Sequence, residues 1–252
     1  EFLFEGSVDK LITVSVPATN TQYGDFLPSA LTDSLDGVES DTYNCSYDAC
    51  YSGNNGLFEY GEDGGLVLDE DNPIGELEID QSMGVNDAYT VYVTLKGDYS
   101  QAGYPTGKFP GTVLAISETP NKYLSWIGFF QNHLHVYSYR NGSSMSNYNY
   151  EYTEEAYASI PIADYSNQLI NIQVTAVRGG DTKVYINGSL IHTFASGVDE
   201  VTYKAASLGD LRPGRGLKFI GTIYDVGLYN KALTEEEVQA NWQYAKKEWN
   251  IN

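Results

Sequence analysis

The sequence predicts an all-β fold: two antiparallel sheets packed as a sandwich, with one short C-terminal helix. Three observations predict it. From about Gly65 the chain breaks into ten strand-length runs. The connections between them are short turn signals such as "QN", "GGD" and "NGS". One stretch near the end, "LTEEEVQANWQYAKKEW", stands out as helical. Short strands with tight connections favour an antiparallel sandwich over βαβ units, which need long crossovers.

Residues 1–60 come first. "SVDKLITVSV" reads as a strand, and residues 17–64 are rich in Gly, Ser, Asp, Asn and Thr without a long periodic segment, the pattern of long loops. The strand runs then follow in order: "GLVL", "GELEID", "AYTVYVTLK", "GTVLAIS", "YLSWIGFF", "HLHVYSY", "LINIQVTAV", "TKVYING", "SLIHTF" and "GLKFIGTIYDVGLY". In "TKVYING", Val184 and Ile186 fall on one face and Lys183 and Tyr185 on the other, and Asn187-Gly188 supplies the positive-φ pair of a tight turn. For the helix, Thr234 is the expected N-cap with Glu237 three residues on. Acids crowd the first turn and Lys246 and Lys247 the last, in agreement with the helix dipole. Val238, Trp242 and Ala245 recur at helical spacing, the stripe that would pack on the sandwich.

Composition bounds the function. Fourteen Lys and Arg against 34 Asp and Glu give a net charge of −20, which repels phosphate backbones and removes the electrostatic term of nucleic-acid binding. No apolar run approaches the length of a membrane span, so no membrane insertion is expected. The opening "EFLFEGSVDK" has neither a basic n-region nor an initiator Met. It is read as the start of a chain that has lost an upstream region or is excised from a longer one. Twenty-two tyrosines suit wet recognition surfaces, and equally suit strands. Cys45 and Cys50 are a local disulfide in an exported protein or two thiols in a reducing compartment.

Two stretches carry a family resemblance. "NIQVTAVRGGDTKVYINGSLIHTF" resembles the hairpin, and "FIGTIYDVGLYNKALTEEEVQANW" the ending, of laminin-G-like domains in the concanavalin-A-like lectin/glucanase superfamily. "GGLVLDED", "ELEIDQS" and "YTVYVTLK" fall where that family has its earlier strands, so the resemblance covers roughly residues 65–249. It implies a concanavalin-A-like jelly-roll sandwich over residues 61–252, and leaves 1–60 as an N-terminal extension with one or more strands.

The resemblance frames the candidate sites. Glucanase-type relatives carry E-x-D-x-E on a central strand, with two carboxylates about 5–5.5 Å apart. Here "GELEIDQS" gives Glu76, Glu78 and Asp80 in the order E-x-E-x-D, at the start of the domain. Acids alternating with Leu77 and Ile79 are also what a half-exposed strand requires. No catalytic residue is expected: Leu77 and Ile79 should face the core, and the three acids should lie away from any substrate cleft. For a metal, the resemblance implies a structural Ca²⁺ with Asp225 as its side-chain ligand. Asp63, Asp69, Glu70 and Asp71 crowd the nearby loop "GEDGGLVLDEDN", and hard oxygen ligands suit that ion.

The expected ligand face lies on "KYLSWIGFFQNHLHVYSYRNG". His133, His135, Tyr137 and Tyr139 share one face of a strand, with Trp126 and Arg140 near enough to join them. Rings stack on sugar C–H faces while hydroxyl and imidazole groups bond to sugar hydroxyls, so Trp126, His135, Tyr137, Tyr139 and Arg140 are the expected ligand-binding residues. The alternative is that this face is a second buried surface. Arg212 and Arg215 in "GDLRPGRGLKF" are a site for an acidic sugar or a plain surface loop.

The expected function is a non-catalytic glycan-binding or adhesion module of an exported or surface protein, with a glycan or protein partner. The alternative is a structural, decoration or host-attachment domain of a phage particle or surface appendage. Either places the chain outside the cell, on a cell surface or on a virion.

Overall fold

A computed structural model describes residues 10–15, 59–60, 66–68, 76–78, 85–86, 88–99, 111–119, 122–138, 157–195, 201–202, 205–208, 219–229 and 231–249. The strands are β1 (Lys10–Ser15), β2 (Glu59–Tyr60), β3 (Leu66–Leu68), β4 (Glu76–Glu78), β5 (Val85–Asn86), β6 (Ala88–Gly97), β7 (Gly111–Thr119) and β8 (Lys122–Phe130). They continue with β9 (His133–Ser138), β10 (Tyr157–Pro161), β11 (Leu169–Val177), β12 (Asp181–Ile186), β13 (Ser189–Ala195), β14 (Val201–Thr202), β15 (Ala205–Leu208) and β16 (Gly221–Tyr229). A single-turn 3-10 helix spans Ala163–Tyr165 and helix α1 spans Glu235–Glu248.

The strands make two large antiparallel sheets, as predicted. The eight-stranded sheet runs β13-β12-β11-β6-β16-β3-β2, with β1 also paired to β16, and the six-stranded sheet runs β10-β9-β8-β7-β15-β4. A two-stranded ribbon joins β14 to β5. Both described strands of the N-terminal stretch enter the larger sheet: β1 pairs with Asp225–Tyr229 of β16, and β2 pairs with β3.

Alternation builds the core. From β6, Tyr89, Val91, Val93 and Leu95 point to the other sheet, as do Ile170, Ile172 and Val174 of β11 and Val184 and Ile186 of β12. The six-stranded sheet answers with Ile127, Phe129, Leu134, Val136, Ala158 and Ile160. The Tyr89 hydroxyl lies in this layer, where burial pushes its pKa up and the neighbouring Ser125 and Ser138 work against that rise.

Two hairpins turn through left-handed pairs. Asn187 (φ 52°) and Gly188 (φ 76°) join β12 to β13, and Gln131 (φ 48°) and Asn132 (φ 61°) join β8 to β9. Positive φ at both central positions matches the twist of the flanking strands. At Gly188 a side chain would also strike Gln239 of α1 at 2.9 Å, and the Gln239 Nε2 donates to the Gly188 carbonyl at 2.6 Å.

Helix α1 starts as its sequence predicts. Thr234 caps it, accepting from the Glu237 amide at 3.3 Å, while the Glu237 carboxylate accepts from the Thr234 amide at 2.8 Å. Val238 and Ala245 are buried and Trp242 is half-buried. The helix packs on the outer face of the eight-stranded sheet, where Val238 and Leu233 meet Tyr92, Tyr185 and Tyr229.

Candidate functional site

Two places gather polar or aromatic side chains away from the core. The first is the outer face of the six-stranded sheet. The β8–β9 turn sets a register in which Trp126 pairs with Tyr137, Gly128 with His135 and Phe130 with His133. Since Ile127, Leu134 and Val136 face the core, these partners share the opposite face.

The geometry on this face is graded. Trp126 and Tyr137 stack with ring centroids 4.7 Å apart and planes 16° from parallel, and both are enclosed, at 0% and 3% exposure. His135 follows at 9%, opposite Gly128, which puts no side chain beside the imidazole. His133 is half-buried, 6.3 Å from the His135 ring centroid. Its Nδ1 lies 3.0 Å from the Gln131 carbonyl; donating there leaves Nε2 as an acceptor. Next to them on β10, Ser159 pairs with His135 and Pro161 with His133, and both are exposed. The strip therefore opens toward the hairpin turn.

Three expected residues, Trp126, His135 and Tyr137, are thus brought together; Tyr139 and Arg140 lie outside the described residues, as do Arg212, Arg215, Cys45 and Cys50. The aromatic pair is packed face to face and covered and His135 is buried next to it, so this part of the face is open at His133 and Ser159. Ser159 escapes a reading of the sequence because β10, "YASIP", is a five-residue edge strand too short for its alternation to stand out, placed by its pairing with β9.

The register also places Glu76. Tyr157, Tyr137, Trp126, Ala115, Ser207 and Glu76 form one continuous cross-strand row over the whole sheet. On this row Glu76 stands three strands from Trp126, about 14 Å at ordinary strand spacing. Leu77 and Glu78 take their places on edge strand β4, whereas Ile79 and Asp80 lie outside the described residues.

The second place is the layer between α1 and the eight-stranded sheet. Asn171 Nδ2 donates to Thr94 Oγ1 at 2.9 Å, and Gln173 Nε2 donates to both Asn171 Oδ1 (2.8 Å) and the Val238 carbonyl (2.9 Å). Asn241 Nδ2 donates to Gln173 Oε1 at 3.3 Å, and the Tyr229 hydroxyl donates to Asn241 Oδ1 at 3.4 Å. Asp225 closes the chain of contacts: it is 2% exposed, its backbone pairs with Thr94, and its carboxylate accepts from Tyr92. Burial first, then the charge of Asp225 and its hydrogen bond, push the Tyr92 hydroxyl well above its usual pKa. Burial likewise pushes Tyr229 up to about 12, with Asp225 and Glu237 adding to it and Asn241 working against it.

Asp225 is the expected Ca²⁺ ligand. Among the described residues no three of His, Cys, Asp and Glu stand close enough together to hold a metal ion. The acids expected to complete such a shell, Asp63, Asp69, Glu70 and Asp71, lie outside the described residues. The described residues alone give Asp225 tyrosine neighbours, not a cage of oxygen anions.

The part of the strip on β9 and β10, the turn and the helix cap fall within one recognisable segment, which leaves out Trp126. Residues 131–239 match the concanavalin A-like lectin/glucanases superfamily. This concanavalin A-like segment, matched by the laminin-G model of that superfamily, runs from the β8–β9 turn to the first turns of α1, so it includes β9 and the hairpin of Asn187 and Gly188. No curated protein matches the chain. Solved structures do. The binding domain of botulinum neurotoxin serotype D is similar at a TM-score of 0.52 and 14% identity, over 72% of this chain and 42% of that one. The serotype D/C VPI 5993 binding domain gives 0.51 and 14%, over 75% and 45%. The serotype D ligand binding domain in complex with N-acetylneuraminic acid gives 0.50 and 13%, over 74% and 50%. At such identities the likeness is one of fold, and this chain spans half or less of each of those structures. No helix among the described residues is long and apolar enough to cross a membrane.

Proposed function

We propose that the chain is a non-catalytic carbohydrate-binding module of an exported or surface-attached protein, and that it takes sugar on the outer face of the six-stranded sheet. One observation carries the reading: the strip that begins at the buried Trp126–Tyr137 stack, continues through the buried His135 and opens at the half-buried His133 and the exposed Ser159. A ring-backed surface ending in imidazole and hydroxyl groups offers a sugar both a flat contact for its C–H face and partners for its hydroxyls. The stack's part is to fix the backbone of β9, which holds the two imidazoles in line. Tyr139 and Arg140, next along the chain, extend the proposed site. Support also comes from the similar serotype D domain, which is described as holding N-acetylneuraminic acid.

The test is a glycan array probed with the whole chain, followed by titration of the best glycan against His133→Ala and His135→Ala. Loss of about tenfold or more in affinity, about 1.4 kcal/mol, with folding intact supports the site. Undiminished binding by both variants overturns it, and polysaccharide turnover abolished by Glu76→Gln overturns the non-catalytic part.

The proposal includes a structural Ca²⁺ at Asp225. A buried carboxylate on β16, whose partner strand β3 is flanked in sequence by Asp63, Asp69, Glu70 and Asp71, suits such an ion, with the remaining oxygens drawn from outside the described residues.

A further inference from the structure

Strand β13 ends the eight-stranded sheet. Its seven residues, Ser189–Ala195, contain no charge and no proline, in a chain with a net charge of −20. Edge strands are ordinarily guarded by lysine, proline, a β-bulge or a covering element, because their unpaired backbone groups invite another strand; of these, β13 carries the bulge. Here Leu190 and Ile191 are 46% and 41% exposed, with Ser189, His192 and Thr193 exposed around them. Ile191 is the bulged residue, since Leu190 pairs with Tyr185 and His192 already pairs with Val184.

The neighbouring charges say what could lie on this edge. Helix α1 begins over β12 and crosses the sheet toward β16: Glu235 lies 3.5 Å from Lys183 and acts on the Tyr185 hydroxyl, Gln239 reaches the Gly188 carbonyl at the hairpin, and Asn241 meets Tyr229. Lys183 and Tyr185 are the direct partners of Thr193 and Leu190. The acidic first turn, Glu235 and Glu236, is therefore one strand in from the edge, on the side where Leu190 stands, with Lys183 balancing Glu235 alone. Asp181, exposed and paired with Ala195, adds a carboxylate at the far end. A strand added beside β13 would meet apolar surface at its middle and carboxylates on either hand.

We propose that β13 is a docking edge for an extended, basic segment of another protein, which adds as a further strand, covers Leu190 and Ile191, and turns lysine or arginine side chains toward Glu235, Glu236 and Asp181. Strand addition takes its affinity from main-chain hydrogen bonds and its selectivity from alternate side chains. A second copy of this chain fits less well, because it would bring acid against acid.

The experiment uses two synthetic peptides, one alternating valine and lysine and one alternating valine and glutamate. Each is titrated against the whole chain by fluorescence anisotropy while amide hydrogen exchange is followed along residues 189–195. The lysine peptide is expected to bind about tenfold or more tightly than the glutamate peptide and to slow exchange in β13. The double variant Leu190→Ser/Ile191→Ser, which leaves the charge unchanged, is expected to weaken it by a similar factor without changing the thermal midpoint. Absence of binding, equal binding by the variant, or protection elsewhere than β13 overturns the proposal. So does a concentration-dependent dimer, seen by sedimentation, that the same substitution dissolves.

Discussion

Asn171 and Asn187 hold each other through two hydrogen bonds. The Asn171 amide donates to Asn187 Oδ1 at 2.9 Å, and the Asn187 amide donates to the Asn171 carbonyl at 2.8 Å. This clamp ties the β12–β13 turn to the middle of the sheet, and its Asn171 side chain begins the polar layer beneath α1. Asn187→Ala removes the side-chain acceptor and forces a Cβ residue poorly suited to φ 52° to hold the turn, so a loss of about 1–3 kcal/mol is expected in urea unfolding. Asn187→Gly keeps the turn and loses only the acceptor. Its loss should be smaller, and equal losses would remove the turn from the explanation.

Gln173 is the centre of the layer, since both its donors and its acceptor are used. Gln173→Met keeps the volume and leaves Asn241 and the Val238 carbonyl without their partner. A loss of about 1–3 kcal/mol is expected, with faster amide exchange throughout α1. Unchanged exchange in the helix would show that the layer does not hold it.

Stability should separate the two ends of the outer strip. Trp126→Ala opens a cavity beneath Tyr137 and should lose about 3–5 kcal/mol, whereas His133→Ala, at the open end, should lose less than about 1 kcal/mol. Thermal unfolding of the two variants checks this. A ligand role for His133 then rests on binding with the fold intact.

The helix layer should make stability fall at both extremes of pH. Burial alone would raise the Glu237 carboxyl, but Lys231, 2.6 Å away, and the capping bonds of Thr234 bring it below its ordinary 4.5. A depressed carboxyl contributes stability above its unfolded pKa and loses it as pH falls through the lower folded value. Tyr229, pushed up to about 12, contributes fully below its ordinary 10.0 and loses that contribution as pH rises toward 12. Glu237→Gln should flatten the acid limb of a pH–stability curve and Tyr229→Phe the alkaline limb; a curve unmoved by either would sink the assignment.

For calcium, the expected outcome is a thermal midpoint that rises in millimolar Ca²⁺, falls with EDTA, and responds to neither in Asp225→Asn. A wild-type midpoint indifferent to both would remove the ion. Asp225→Asn would then be destabilising only through the Tyr92 bond.

The sequence by itself determined what depends on neighbours along the chain. Alternation in "KVYI" put Val184 and Ile186 inside and Tyr185 on the other face, Asn187-Gly188 set its turn, and Thr234 with Glu237 set the helix start, because each is a contact within a few residues. Only the tertiary structure decided the rest. The short strand β15, "AASL", has weak strand character, yet it lies inside the six-stranded sheet because β4 and β7 pair with it on both sides. The one row through Glu76 and Trp126 follows from those two pairings, which no local pattern encodes. The same holds for exposure. Period two put Trp126, His135 and Tyr137 on one face, but which of them meets solvent depends on what the rest of the chain lays over that face. Burial is a property of the packed whole, and it closed the strip from Trp126 to His135 and left it open at His133 and Ser159.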